Sequence, residues 1–196
     1  CKKVNIIAHS KGGLDARYTI SCLNMNNYVA SLSTIGTPHG GCRLLDIILQ
    51  KVPNSVVHIV EKRYNALYKK LGDTEPDFYS GICDLTTEKC EQFNKEVINK
   101  ENVLYQSVAS KMSSFSSAGF PLNVGYAVLR RTDGENDGFV SVESSKWGDY
   151  LDCFETKRKR GVSHGDMIDL MRENIRGFDV CECYVELVKR LKSKGL

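Results

Sequence analysis

No apolar stretch approaches the roughly 20 residues that a membrane-spanning helix needs. No secretory leader pattern opens the chain, whose first residues run directly into a strand. Charge of one sign is also lacking: 27 basic against 24 acidic side chains leave +3, too little to suggest a nucleic-acid binder. The one local exception is the run Lys157-Arg158-Lys159-Arg160. It reads as a solvated loop, with contact to an anionic lipid surface as the sharper alternative. Eight cysteines are present, at positions 1, 22, 42, 83, 90, 153, 181 and 183, yet none forms a CxxC pair. That spacing argues against a structural zinc site. Cys83 and Cys90 bracket a short loop and helix start that a disulfide could bridge; most of the others read as small buried hydrophobes.

What remains is one domain's worth of globular sequence, without internal repeat, low-complexity tract or linker. At 196 residues and 41% apolar content, the chain is long enough for a sizeable core. Short apolar runs at Val4–Ala8, Val29–Ile35, Val103–Ala109 and Leu151–Thr156 predict strands; the third alternates polar and apolar residues. Helical spacing predicts helices over Gly13–Leu23, Val124–Arg130 and Val180–Leu191, the last amphipathic through Tyr184, Leu187, Val188 and Leu191. Residues 43–100 predict several consecutive helices, an inserted cap rather than a plain crossover. Alternating strands and helices give an α/β class with a mostly parallel sheet.

One hexapeptide carries the chemistry: Ala8-His9-Ser10-Lys11-Gly12-Gly13, between a predicted strand and a predicted helix. A strand, a sharp turn with serine at its tip and a helix form a nucleophile elbow. Small residues are expected two before and two after the serine, here Ala8 and Gly12. A serine hydroxyl needs a base, and the base an orienting acid, in the chain order serine, acid, histidine. His9 adjoins the serine, His39 precedes the acid region and His58 lies in the helical insert. His164, in Gly161-Val162-Ser163-His164-Gly165-Asp166, is therefore the favoured base. Asp137 is placed as the acid, with Asp133 and Glu135 close rivals and Asp149 and Asp152 weaker ones. The Lys11 amide, at a helix N-terminus, would serve as one oxyanion donor.

These residues resemble a family. Val4 through Tyr18 looks like the elbow of bacterial triacylglycerol lipases, particularly clostridial ones. Thr34-Ile35-Gly36-Thr37-Pro38-His39-Gly40-Gly41 is similar to the segment after their next strand. Asn136-Asp137-Gly138-Phe139-Val140 with Ser144-Ser145-Lys146-Trp147-Gly148 resembles their acid loop, and His164-Gly165-Asp166 their histidine loop. The resemblance implies an α/β-hydrolase with helices on both faces of the sheet, a helical lid within about 43–100 and a Ser10-Asp137-His164 triad. It implies a lipid ester substrate, a lipid–water interface, secretion, and no organic cofactor. Relatives with a structural calcium use the carboxylate two residues after the histidine, here Asp166. The partner carboxylate has no match around Ser116 and Ser117, and Asp166 is also placed to cap the following helix. The elbow comes so early that the first strands and the loop with the second oxyanion donor are expected to be missing. Poor activity is then expected from these 196 residues alone. A short-chain esterase, thioesterase or acyltransferase would use the same triad, and an inactive lipid-binding remnant is the non-enzymatic reading.

Overall fold

The protein is described by a computed structural model covering residues 3–156, 160–171 and 174–196. Four strands, β1 (Val4–His9), β2 (Val29–Ile35), β3 (Leu104–Ser110) and β4 (Asp149–Phe154), form one sheet in the order β1-β2-β3-β4. Every pairing is parallel. Parallel strands need crossovers, and helices supply them: α1 (Lys11–Cys22), α2 (Arg43–Lys51), α3 (Asn54–Lys70), α4 (Phe78–Cys83), α5 (Thr87–Glu96) and α6 (Leu122–Thr132); α7 (Val180–Ser193) follows the last strand. Among the described residues, no helix is long and apolar enough to cross a membrane.

Successive side chains of a strand point to opposite faces, so each strand serves two cores. Ile6, Leu32 and Tyr105 sit in register with one another and pack with Ile20 of α1. Ile7, Ile35 and Val108 face the other way, onto Leu187 and Tyr184 of α7. A third cluster joins Leu14 of α1 to Leu45 of α2 and Cys90 of α5. Each fully buried aliphatic side chain contributes about 1.5–3 kcal/mol.

The alternating strand β3 is covered on both faces: Tyr105 through Ser110 are all buried. Its polar members find partners inside: Gln106 Nε2 donates to Ser33 Oγ at 2.7 Å, and Ser107 Oγ accepts from the Trp147 amide at 2.8 Å. β4 begins at Asp149 rather than Leu151 because it pairs from Gln106 onward. All seven described cysteines are free, Cys83 and Cys90 included, and of these only Cys42 and Cys90 are buried. Cys90 instead donates its thiol to the Asp84 carbonyl. Of the basic run, residues 157–159 lie outside the described residues.

Candidate active site

The carboxyl ends of β1, β3 and β4 lead into three segments that meet. At the end of β1 the chain reverses through Ser10, whose φ of 53° is a left-handed value costly for a non-glycine residue. Its amide donates to the Ile35 carbonyl at 3.0 Å, and its own carbonyl accepts from Thr37 Oγ1 at 2.8 Å. Lys11 begins α1, so its amide is one of the N-terminal donors without a helical partner. The Lys11 side chain turns to Asp15, 2.7 Å away.

The expectation about small residues shifts by one position. A Cβ at Gly12 would meet nothing within 4 Å, so packing does not require glycine there. At Gly13 a Cβ would collide with Thr37 and Thr34. The elbow is packed on the loop after β2, and Gly13 makes the closest approach.

His164 Nε2 lies 2.9 Å from Ser10 Oγ, and its Nδ1 lies 2.7 Å from Asp137 Oδ2. A carboxylate only accepts, so the ring proton sits on Nδ1 and Nε2 is left as acceptor for the serine hydroxyl. Asp137 is 1% exposed. Its other oxygen accepts from the Phe139 and Val140 amides at 2.9 and 2.7 Å, while Ser110 Oγ approaches Oδ2 at 3.4 Å. Gly36 lies directly beneath, at a φ of 54° that disfavours any side chain; a Cβ there would touch both Asp137 Oδ2 and His164 Nδ1 at 3.4 Å. The rival acids are elsewhere. Glu135 pairs with Lys111 at 3.0 Å, and Asp133 caps the end of α6. Asp149 and Asp152 lie within β4.

The His164 loop is tied from two sides. His9 Nε2 lies 3.1 Å from the His164 carbonyl, with the two rings 4.5 Å apart. Burial, and then the charge of His164, hold the His9 pKa down to about 4. On the other side Arg160 grips Asp166 through both guanidinium nitrogens, at 2.8 and 3.3 Å. Asp166 Oδ2 also accepts from the Ser163 amide at 2.7 Å. The Asp166 carboxylate expected as a calcium ligand thus faces the Arg160 guanidinium. Among the described residues no group of three or more His, Cys, Asp and Glu side chains could hold a metal. Asp166 caps no long helix either; it opens a short 3-10 turn, Asp166–Ile168. The signal that sequence reading passes over is Arg160, an arginine close before a buried acid.

A cavity of about 550 Å³ opens beside His164, lined by His9, Phe120, Leu122, Ile168, Leu170 and Met171 among others. Phe120 is 84% exposed and Met171 71%, so an apolar wall stands open next to the base.

No family model matches the chain. It is 30% identical over 204 aligned residues to triacylglycerol lipase 2 of Saccharomyces cerevisiae, across 98% of this chain and 58% of that protein. A triacylglycerol lipase of Pseudarthrobacter phenanthrenivorans is 32% identical over 100 residues, 47% of this chain and 31% of that one. The crystal structure of Staphylococcus hyicus lipase superposes with a TM-score of 0.68 at 18% identity, covering 96% of this chain and 69% of that one. Mature Bacillus licheniformis lipase BlEst2 gives 0.59 at 23% identity, covering 87% and 62%. The chain thus spans 58% of the yeast relative's length.

Proposed function

We propose that this chain, which has the α/β-hydrolase fold and resembles triacylglycerol lipases along nearly all its length, carries the acyl-transfer machinery of a carboxylic ester hydrolase. The observation that carries this is the continuous hydrogen-bonded line from Ser10 Oγ through His164 to Asp137, with the serine held on a strained turn.

Ser10 Oγ attacks the ester carbonyl while His164 Nε2 takes its proton. Asp137 keeps the imidazole in the Nδ1–H tautomer and stabilises the imidazolium. The Lys11 amide, at the positive end of α1, faces the oxygen that becomes negative. His164 then protonates the departing alcohol. Water, deprotonated by the same ring, releases the acid from the acyl-enzyme. These steps use no organic cofactor.

The substrate we infer is a lipid ester, triacylglycerol first among them. The open apolar cavity beside His164 supports that choice, as do the names of the relatives. The segment α2–α5 is read as a lid or cap, supported by the exposed apolar residues of α3. Export of the parent protein rests on the resemblance alone. A serine-directed fluorophosphonate should label the chain at Ser10, and Ser10→Ala should abolish labelling. In ester hydrolysis by the parent protein, rates should rise from short to long acyl chains. Labelling that survives Ser10→Ala would overturn the nucleophile, and a preference for acetate esters would overturn the lipid substrate.

A further inference from the structure

Arg17 of α1 is fully buried, yet no carboxylate pairs with it among the described residues. Its guanidinium lies 3.6 Å from the centroid of the Trp147 ring and 5.0 Å from that of Phe93. Nη1 donates to Asn94 Oδ1 at 2.8 Å and to His39 Nδ1 at 3.1 Å; Nη2 donates to the Val97 carbonyl at 3.3 Å. Nε finds no partner among the described residues. Burying an ion without a counter-ion is unfavourable, and an apolar side chain of similar volume often serves stability as well or better. Packing alone therefore does not account for a guanidinium at this place.

The guanidinium sets the direction of the neighbouring hydrogen bonds. It can only donate, so His39 Nδ1 accepts and the His39 proton must sit on Nε2. That N–H donates to Thr34 Oγ1 at 3.0 Å, which leaves the threonine proton for the Gln106 carbonyl at 3.4 Å. The His39 carbonyl accepts from Asn94 Nδ2 at 2.8 Å. Burial and the adjoining guanidinium both keep the His39 ring neutral, well below its usual pKa. Tyr105 of β3 and Cys90 of α5 are the other titratable groups facing Arg17. The loop held in this way is the one beneath the nucleophile: Thr37 bonds the Ser10 carbonyl, and Gly13 packs on Thr37.

We propose that Arg17 is a positioning residue for ester hydrolysis at Ser10, acting through His39 and the loop at 36–41 to hold the Ser10 turn in register with His164. The proposal rests on Ser10 being the nucleophile. Its test uses the full chain, a fluorophosphonate, and nitrogen-15 NMR of His39. In the unaltered protein His39 should carry its proton on Nε2 and stay neutral as the pH is lowered through the ordinary imidazole pKa. Arg17→Met, which keeps apolar contact with Trp147, should lower the maximal inactivation rate about 10- to 100-fold at unchanged inhibitor affinity, the scale of a small misplacement of reacting groups. It should also raise the His39 pKa. Arg17→Lys should recover part of the rate.

A folded Arg17→Met protein inactivated at the original maximal rate would overturn the proposal, as would an Nδ1 proton on His39. If Arg17→Met fails to fold, Arg17→Lys decides, because a single ammonium nitrogen does not reproduce the fork by which Nη1 and Nη2 reach His39, Asn94 and Val97 from two positions; an unaltered rate overturns the role. An unlabelled parent chain would remove the hydrolase reading and the positioning role with it. The His39 tautomer would still report separately whether the donor chain exists.

Discussion

Ser10 sits among side chains that are buried and polar, whereas α3 buries one residue, Val57, and leaves its other apolar side chains outside or half-covered. Around the serine, Thr34, Thr37, His39, Gln106, Ser110 and Asp137 are each at most 2% exposed, and each makes at least one hydrogen bond. On α3 and its end, Ile59 is 56% and Leu71 75% exposed. That helix is joined to α4 mainly by the stack of Tyr64 on Phe78 and by Asn65 accepting the Phe78 amide at 2.9 Å. The contrast separates two needs. Reacting groups must be held to about half an ångström, which buried directional bonds achieve and apolar contact alone does not. A segment with few buried contacts belongs to the low end of local stability, where covering elements are drawn from.

Substitutions in the two regions should therefore differ in kind. The largest effect is expected at the acid. Asp137→Asn keeps the shape but favours the wrong imidazole tautomer, and turnover by the parent protein should fall about 10,000-fold with folding intact. A loss under tenfold would move the acid elsewhere, Glu135 being the next candidate. Next, Ile35→Ala, which empties a fully buried position between β2 and α7, should cost about 2–5 kcal/mol in urea unfolding.

Acid should loosen the same frame. The folded pKa values of His9 and His39 lie below their unfolded values, so the native state binds fewer protons. Their contribution is complete above about pH 6.5 and is lost as pH falls, for His9 down to about 4. His9 alone accounts for a loss on the order of 3 kcal/mol. Thermal unfolding followed from pH 7 to pH 4 should show it, and His9→Asn should flatten the slope. A slope that His9→Asn leaves unchanged would place the acid sensitivity elsewhere. Smallest of all, Ile59→Ala on α3 should change stability by no more than about 0.5 kcal/mol. A cost matching that of Ile35→Ala would erase the distinction between the two regions.

Much of the frame is legible in the residues alone. Val29–Ile35 reads as a strand to its last residue because it is short, free of glycine and proline, and closed by Gly36. The candidates Ser10 and His164 follow from which residue types stand in loops after predicted strands, with the acid narrowed to Asp133, Glu135 or Asp137. What the residues alone leave hidden has one source. Local spacing points to Gly12 rather than Gly13, because it cannot show that Thr37, beyond the next strand, sits under α1. The pairing of Asp166 with Arg160, six residues earlier, is likewise invisible to local pattern, because a loop folds the two together. Arg17 reads as one more polar position of an amphipathic helix, since helical spacing says nothing of what α5 and Trp147 bring over it.

Element types, the parallel class and the candidate serine and histidine are thus written in the amino-acid order, because periodicity and turn chemistry are local; the acid stays open among Asp133, Glu135 and Asp137 until the family resemblance selects Asp137. Which glycine is indispensable, which cation answers Asp166, and the burial of Arg17 away from any described anion emerge from the folded chain. Those are contacts between segments distant in the chain, and their energies depend on burial that no local pattern records.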